Sequence, residues 1–171
     1  MKHVVAMIAI CGLAACGGAG GSMSTSTSTS SSSAVQASLA AVDATSGQSF
    51  GNMLNAVRAE NGVGALIFDD RLGTAAQVHA DDMHSNSFMS HTGSDGSSVR
   101  DRVIAQNYTP TIVGENVAWG YRSEESVLRG WINSPDHQDN NTDSRFEEFG
   151  LARAGSGNNQ YWALVLATEA P

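Results

Sequence analysis

Three side chains in three separate segments carry the chemistry open to this sequence. His91 follows Phe88-Met89-Ser90, Glu115 sits between Gly114 and Asn116, and His137 closes Trp131-Ile132-Asn133-Ser134-Pro135-Asp136-His137. Each stands beside aromatic or apolar residues, and burial against such neighbours changes the proton affinity of a polar side chain. Two imidazoles and a carboxylate can exchange protons near neutral pH. They are also borderline-to-hard donors suited to zinc or a similar divalent cation. Converged by a tertiary fold, they would line one polar cleft.

Plainer readings compete at each position. His91 can pack against Phe88 and make one hydrogen bond. Glu115 and Asn116 can form a turn that bonds local backbone. His137, just past a helix ended by Pro135, would in its charged form suit that helix C-terminus. His79 lies on an apolar helical stripe and reads as a core histidine with one partner. His84 falls off the stripe and reads as solvated. Trp119, Trp131 and Trp162 read as core rather than as stacking platforms.

The elements that must position these residues follow from periodicity. Phe50, Met53, Leu54 and Val57 fall at helical spacing, and Asn61-Gly62 supplies a stop. Leu72, Ala75, Ala76, His79 and Met83 form a second stripe, with Asp69 and Asp70 at its start and an end near Asn86. A turn-rich loop covers residues 92–97, and a short helix covers Val99 to Gln106. Ile112-Val113 and Val117-Ala118-Trp119 suit a strand interrupted near Gly114. Ser123 caps a further helix whose buried face is Val127, Leu128 and Trp131. Residues 149–154 and 161–167 read as two strands around Gly155-Ser-Gly-Asn-Asn. Helices first and a strand pair last indicate an α+β domain from residue 50 to residue 171.

The 171 residues include nine Lys and Arg against seventeen Asp and Glu, a net charge of −8, with a pI near 4.9. That balance argues against nucleic acid or an anionic membrane surface as the main partner. Both cysteines, Cys11 and Cys16, lie near the N-terminus, so the folded part has no internal disulfide and no thiol catalysis. No nucleophile elbow, zinc-protease helix, phosphate loop or calcium loop is present, and no residue is assigned a catalytic role.

Residues 1–15 read as an export signal: Lys2 opens a short apolar run that ends in small residues. Leu13-Ala14-Ala15-Cys16 resembles a bacterial lipobox, which implies lipidation at Cys16. Gly17 after it implies an outer-membrane destination; without lipidation the protein would be secreted. Residues 16–49 are rich in Gly, Ser and Thr and read as a tether. Membrane contact would then run through the lipid alone.

The domain as a whole resembles the CAP superfamily in its bacterial SCP-like form. The matching residues are Ala80-Asp-Asp-Met83, Phe88-Met-Ser-His91, Asp95-Gly96, Asp101-Arg102, Gly114-Glu-Asn-Val-Ala-Trp-Gly120, Trp131-x-x-Ser-Pro-x-His137, Phe149-Gly150 and Tyr161-Trp162. The resemblance implies an α-β-α sandwich with a small antiparallel sheet. It also implies a central cleft bearing His91, Glu115 and His137 and able to hold a divalent metal. The sequence departs from the family at Asp136 and Gln138, where the bacterial pattern has Gly and Arg. It departs from eukaryotic members at Ser134 and Tyr161, where they place a glutamate and a histidine. The expectation is an envelope-anchored binding module for a metal, a small ligand or an envelope or extracellular partner, with zinc or another divalent cation weakly bound. A metal-dependent hydrolase and a structural envelope protein with a vestigial cleft are the alternatives.

Overall fold

The computed structural model describes residues 48–171. The expected signal at 1–15, the lipobox cysteine Cys16 and the tether up to residue 47 lie outside the described residues. The first helix, α1, occupies 48–60, so residues 48 and 49 are helical rather than part of the tether. The order continues β1 (Ile67–Phe68), α2 (Asp70–Asn86), α3 (Val99–Ala105), β2 (Pro110–Trp119), α4 (Glu124–Ile132), α5 (Pro135–Thr142), β3 (Glu148–Ser156) and β4 (Asn159–Glu169).

The sheet order is β1-β3-β4-β2. The three long strands are antiparallel, and the two-residue β1 adds a parallel edge beside β3. Strand β4 is central and buried along nearly its whole length. Its side chains alternate between two cores, as a strand's period of two requires. Tyr161, Ala163, Val165 and Ala167 face α2 and α3 with Leu72, Ala76, Met83 and Val103. Trp162, Leu164 and Leu166 face the other way, against Phe50, Leu54, Leu128 and Trp131. Helices therefore cover both faces of one sheet, the α-β-α sandwich expected.

Small residues let α2 lie close to the sheet. A Cβ at Gly150 on β3 would fall on the backbone of Leu72 and Gly73, so only glycine fits there. Asp69 caps α2 by accepting from the Arg71 and Leu72 amides. Ser98 and Ser123 cap α3 and α4 with full capping boxes. Arg58 of α1 is fully buried. Its guanidinium donates to the carbonyls of Gly64, Asn141, Asp143 and Phe146, and so ties α1 to the segment after α5.

Two expectations change here. Strand β2 is not interrupted at Gly114: it runs unbroken through it. The glycine leaves room for Phe146, whose ring tip lies 2.8 Å from where a Cβ would stand. Pro135 does not merely end a helix. Helix α4 stops at Ile132, and Pro135 opens α5, a first-turn position that needs no backbone N–H. His137 therefore sits in the first turn of α5, where a positive charge is disfavoured, and does not cap the C-terminus of α4.

Trp131 is 1% exposed, with Phe50 edge-on at 6.2 Å, whereas Trp119 is 54% exposed. Trp131→Ala should cost about 3–5 kcal/mol through the cavity it leaves, while Trp119→Ala should cost less than about 1 kcal/mol. Urea unfolding midpoints of the two variants check the order, and the reverse order would overturn this core assignment.

Candidate functional site

Strand β2 forms one edge of the sheet, and the site is built on it. Alternation turns Glu115 toward the α2–α3 face and Asn116 toward α5. Glu115 is 6% exposed, so its carboxylate must find partners inside the protein. Arg102 of α3 donates from Nη2 to Oε2 at 2.6 Å. His91 donates from Nδ1 to Oε1 at 2.9 Å. His79 of α2 brings Nε2 within 3.8 Å of the same Oε1, while that nitrogen donates to the Ser90 carbonyl at 2.7 Å. Arg102 also holds the loop itself, donating to the His91 and Ser97 carbonyls.

On the other side, an amide network fixes α5 to the strand. Asn116 donates to the His137 carbonyl and to Asn141 Oδ1, both at 3.0 Å. Asn140 donates to Asn116 Oδ1 at 2.9 Å and to the Glu115 carbonyl at 3.2 Å. His137 Nδ1 lies 2.9 Å from Ser134 Oγ. Ser134 stands at the N-cap of α5 but caps no backbone amide.

His91 and His137 are opposite in proton affinity. The hydrogen bond to Glu115 raises the His91 pKa above the usual 6.5, against some loss from burial. Burial lowers His137, and the charge of His91 lowers it further. The His91 side chain is 60% exposed, and Nε2 of both rings has no protein hydrogen-bond partner among the described residues. Burial also lowers His79.

Glu115 holds His91 directly, while His137 is set on α5 by Asn116, and their roles differ. Both Glu115 oxygens are engaged, one by an imidazole and one by a guanidinium. The carboxylate holds His91 in place and leaves the two Nε2 atoms open. Among the described residues no three His, Cys, Asp or Glu side chains are grouped so as to hold a metal ion. Arg102 and the Asn116–Asn140–Asn141 network were not singled out for the site from sequence. The signal for Arg102 was an arginine on a seven-residue helix that must be 5% exposed, and burial cannot be read from so short a pattern.

Two aromatic or histidine expectations need correcting at this end of the sheet. Trp119 is exposed rather than core, because it ends an edge strand; its Nε1 donates to Asn159 Oδ1 at 3.1 Å. His84 is partly buried rather than solvated. It packs 5.9 Å from the Tyr161 ring with a buried Nδ1 that has no partner. Tyr161, at the position where eukaryotic relatives carry a histidine, is buried between His84 and Trp119.

The fold and this edge-strand constellation define an α-β-α sandwich of the SCP type. The chain belongs to the CAP, or cysteine-rich secretory protein, family, whose model matches residues 52–167. It is 26% identical over 110 residues to the membrane protein YlbC of Bacillus subtilis, a match covering 64% of this chain and 32% of YlbC. It is 27% identical over 106 residues to YkwD of the same organism, covering 62% of this chain and 41% of YkwD. The chain thus spans less than half the length of these relatives. An extracellular SCP-domain protein from Bacillus anthracis superposes with a TM-score of 0.67 at 22% identity, over 75% of this chain and 42% of that one. An outer surface protein from Borrelia burgdorferi superposes with a TM-score of 0.66 at 19% identity, over 72% and 92%.

The opposed shifts have a defined sign. A raised histidine pKa stabilises the fold fully below the ordinary value near 6.5, and that contribution is lost as pH rises through the folded value. A lowered one costs stability as pH falls below 6.5. Histidine NMR titration should therefore show His91 losing its proton at higher pH than His137. Glu115→Gln should bring the His91 midpoint down. Equal midpoints in the native chain would overturn the Glu115–His91 pairing.

Proposed function

We propose that the chain is an exported, envelope-anchored CAP-domain protein whose cleft at His91, Glu115 and His137 is a binding site. The observation that carries this reading is an exposed imidazole held from behind by a buried carboxylate. A histidine that donates one ring N–H to a carboxylate keeps its other nitrogen oriented outward, the arrangement found behind metal-bound histidines. On this reading a divalent cation such as zinc would be held by His91 Nε2 and His137 Nε2, with Glu115 supporting His91 and Arg102 supporting Glu115. The ion would supply open coordination positions for an oxygen-bearing ligand. Two imidazoles make a weak, exchangeable site, and protonation of His91 competes with it.

A second reading, hydrolysis, draws on the Ser134–His137 hydrogen bond. Nucleophile pairs of that kind need a third group to orient the histidine, and His137 Nε2 has no such partner among the described residues. Binding is the better-supported reading.

Export and anchoring rest on the apolar run ending in Leu13-Ala14-Ala15-Cys16. The reading is supported in kind by the proteins this chain is similar to: a membrane protein, an extracellular protein and an outer surface protein. Mass spectrometry of the mature N-terminus from the native host should find acylated Cys16, and an unmodified Cys16 would overturn the anchor.

Zinc titrated into the full-length chain at slightly alkaline pH should shift the His91 and His137 ring signals together and leave His84 in place. Glu115→Gln should weaken the response by roughly tenfold or more, as loss of such a support does. Independent responses of the two rings would overturn the shared cleft.

A further inference from the structure

Trp119 ends strand β2 with its indole 54% exposed, whereas Trp131 and Trp162 are each 1% exposed. The exposed ring is nevertheless fixed. Its Nε1 donates to Asn159 Oδ1 at 3.1 Å. Its backbone is paired with Tyr161, and the next residue, Gly120, donates its amide to the Gln160 carbonyl at 2.9 Å. The Tyr161 ring stands behind the indole, with centroids 6.3 Å apart and planes tilted by 43°. Tyr161 is itself 6% exposed, so the open surface of the indole is the side turned away from it. Folding has already ordered this large apolar surface, and a ligand that lies on it loses little to ordering the protein.

The Nε1 edge of the ring leads into a chain of exposed polar groups. Asn158 lies in the turn between β3 and β4, and Asn159 opens β4. Each side-chain oxygen is engaged, Asn159 Oδ1 by Trp119 and Asn158 Oδ1 by Arg122 Nε. The donors of the same groups are left open. The two side-chain NH2 groups and both Arg122 Nη groups have no protein hydrogen-bond partner among the described residues. Asn158, Asn159 and Arg122 are all exposed, so a ligand from solvent reaches those donors.

The pairing of an apolar face with open donors selects among ligands. A cation would gain from the indole face but would meet the Arg122 guanidinium. A phosphate or carboxylate would gain from Arg122 and has no use for the indole. A sugar ring has both surfaces: a face of C–H groups that lies on an aromatic ring, and hydroxyl oxygens at its rim that accept from amide and guanidinium N–H groups. We propose that Trp119 is a stacking platform for a neutral sugar ring whose hydroxyls are held by Asn158, Asn159 and Arg122. Glu115 lies four residues back along β2, about 13 Å away. The platform is therefore separate from the cleft and does not depend on what the cleft binds.

The test is an NMR titration of the isotope-labelled full-length chain with cellotriose, whose glucose rings have apolar faces and equatorial hydroxyls. A parallel titration uses choline chloride. Cellotriose should move the Trp119 indole N–H and the Asn159 side-chain amide saturably and leave the buried Trp131 and Trp162 indoles in place. Choline should move none of them. Trp119→Ala, read at Asn159, should abolish the response. Arg122→Ala, also a change at an exposed side chain, should weaken it by roughly threefold or more, the scale of one lost hydrogen bond. The absence of a saturable shift with cellotriose overturns the proposal. A saturable shift with choline would mark a cation platform and overturns it too. So does a cellotriose response in either variant that equals that of the native chain.

Discussion

A carboxylate on the inward face of an edge strand must be matched by donors where it stands. Glu115 meets that requirement with three groups from three parts of the chain: Arg102 from α3, His91 from the loop before it, and His79 from α2 at longer range. An ion pair with both partners almost fully buried adds little net stability but is costly to break. Its consequence is positional. Arg102 binds both the short helix α3 and the 88–98 loop to β2. What looks like a site residue is first a reason for the loop to lie where it does.

The same strand explains why the site is open on one side. Side chains occupy carbonyls along β2: Asn140 on Glu115, Trp131 on Val117, and Arg100 on Pro110 and Thr111. They block the strand-pairing surface that an edge otherwise offers. The neighbouring α5, placed by Asn116, carries His137 on the opposite face of the strand from Glu115.

Much of this was legible in the residues. The stripe from Leu72 to Met83, the caps at Asp69 and Ser123 and the final hairpin are local patterns, and local patterns survive folding. Glu115 was legible as a carboxylate in an apolar run, and the quoted motifs carried the family. The misreadings share one physical cause: they depend on neighbours distant in sequence. Gly114 looked like a break because the Phe146 ring it admits is far along the chain. Pro135 ends or begins a helix according to what surrounds it. Trp119 and Trp162 are equally apolar, but one ends an edge strand and the other lies in the central one. Arg102 and Arg58 look like surface charges until the carbonyls and carboxylate they serve are in place.

Arg58 has a wider implication. The family is named for its cysteines, yet none lies between residues 52 and 167 of this chain. The four carbonyls gathered by the Arg58 guanidinium come from residues 64, 141, 143 and 146, a cross-link between distant segments of the kind a disulfide makes. Thiol reductants cannot open it, and it needs no oxidising enzyme to form. The domain therefore needs no oxidising environment for this cross-link to form.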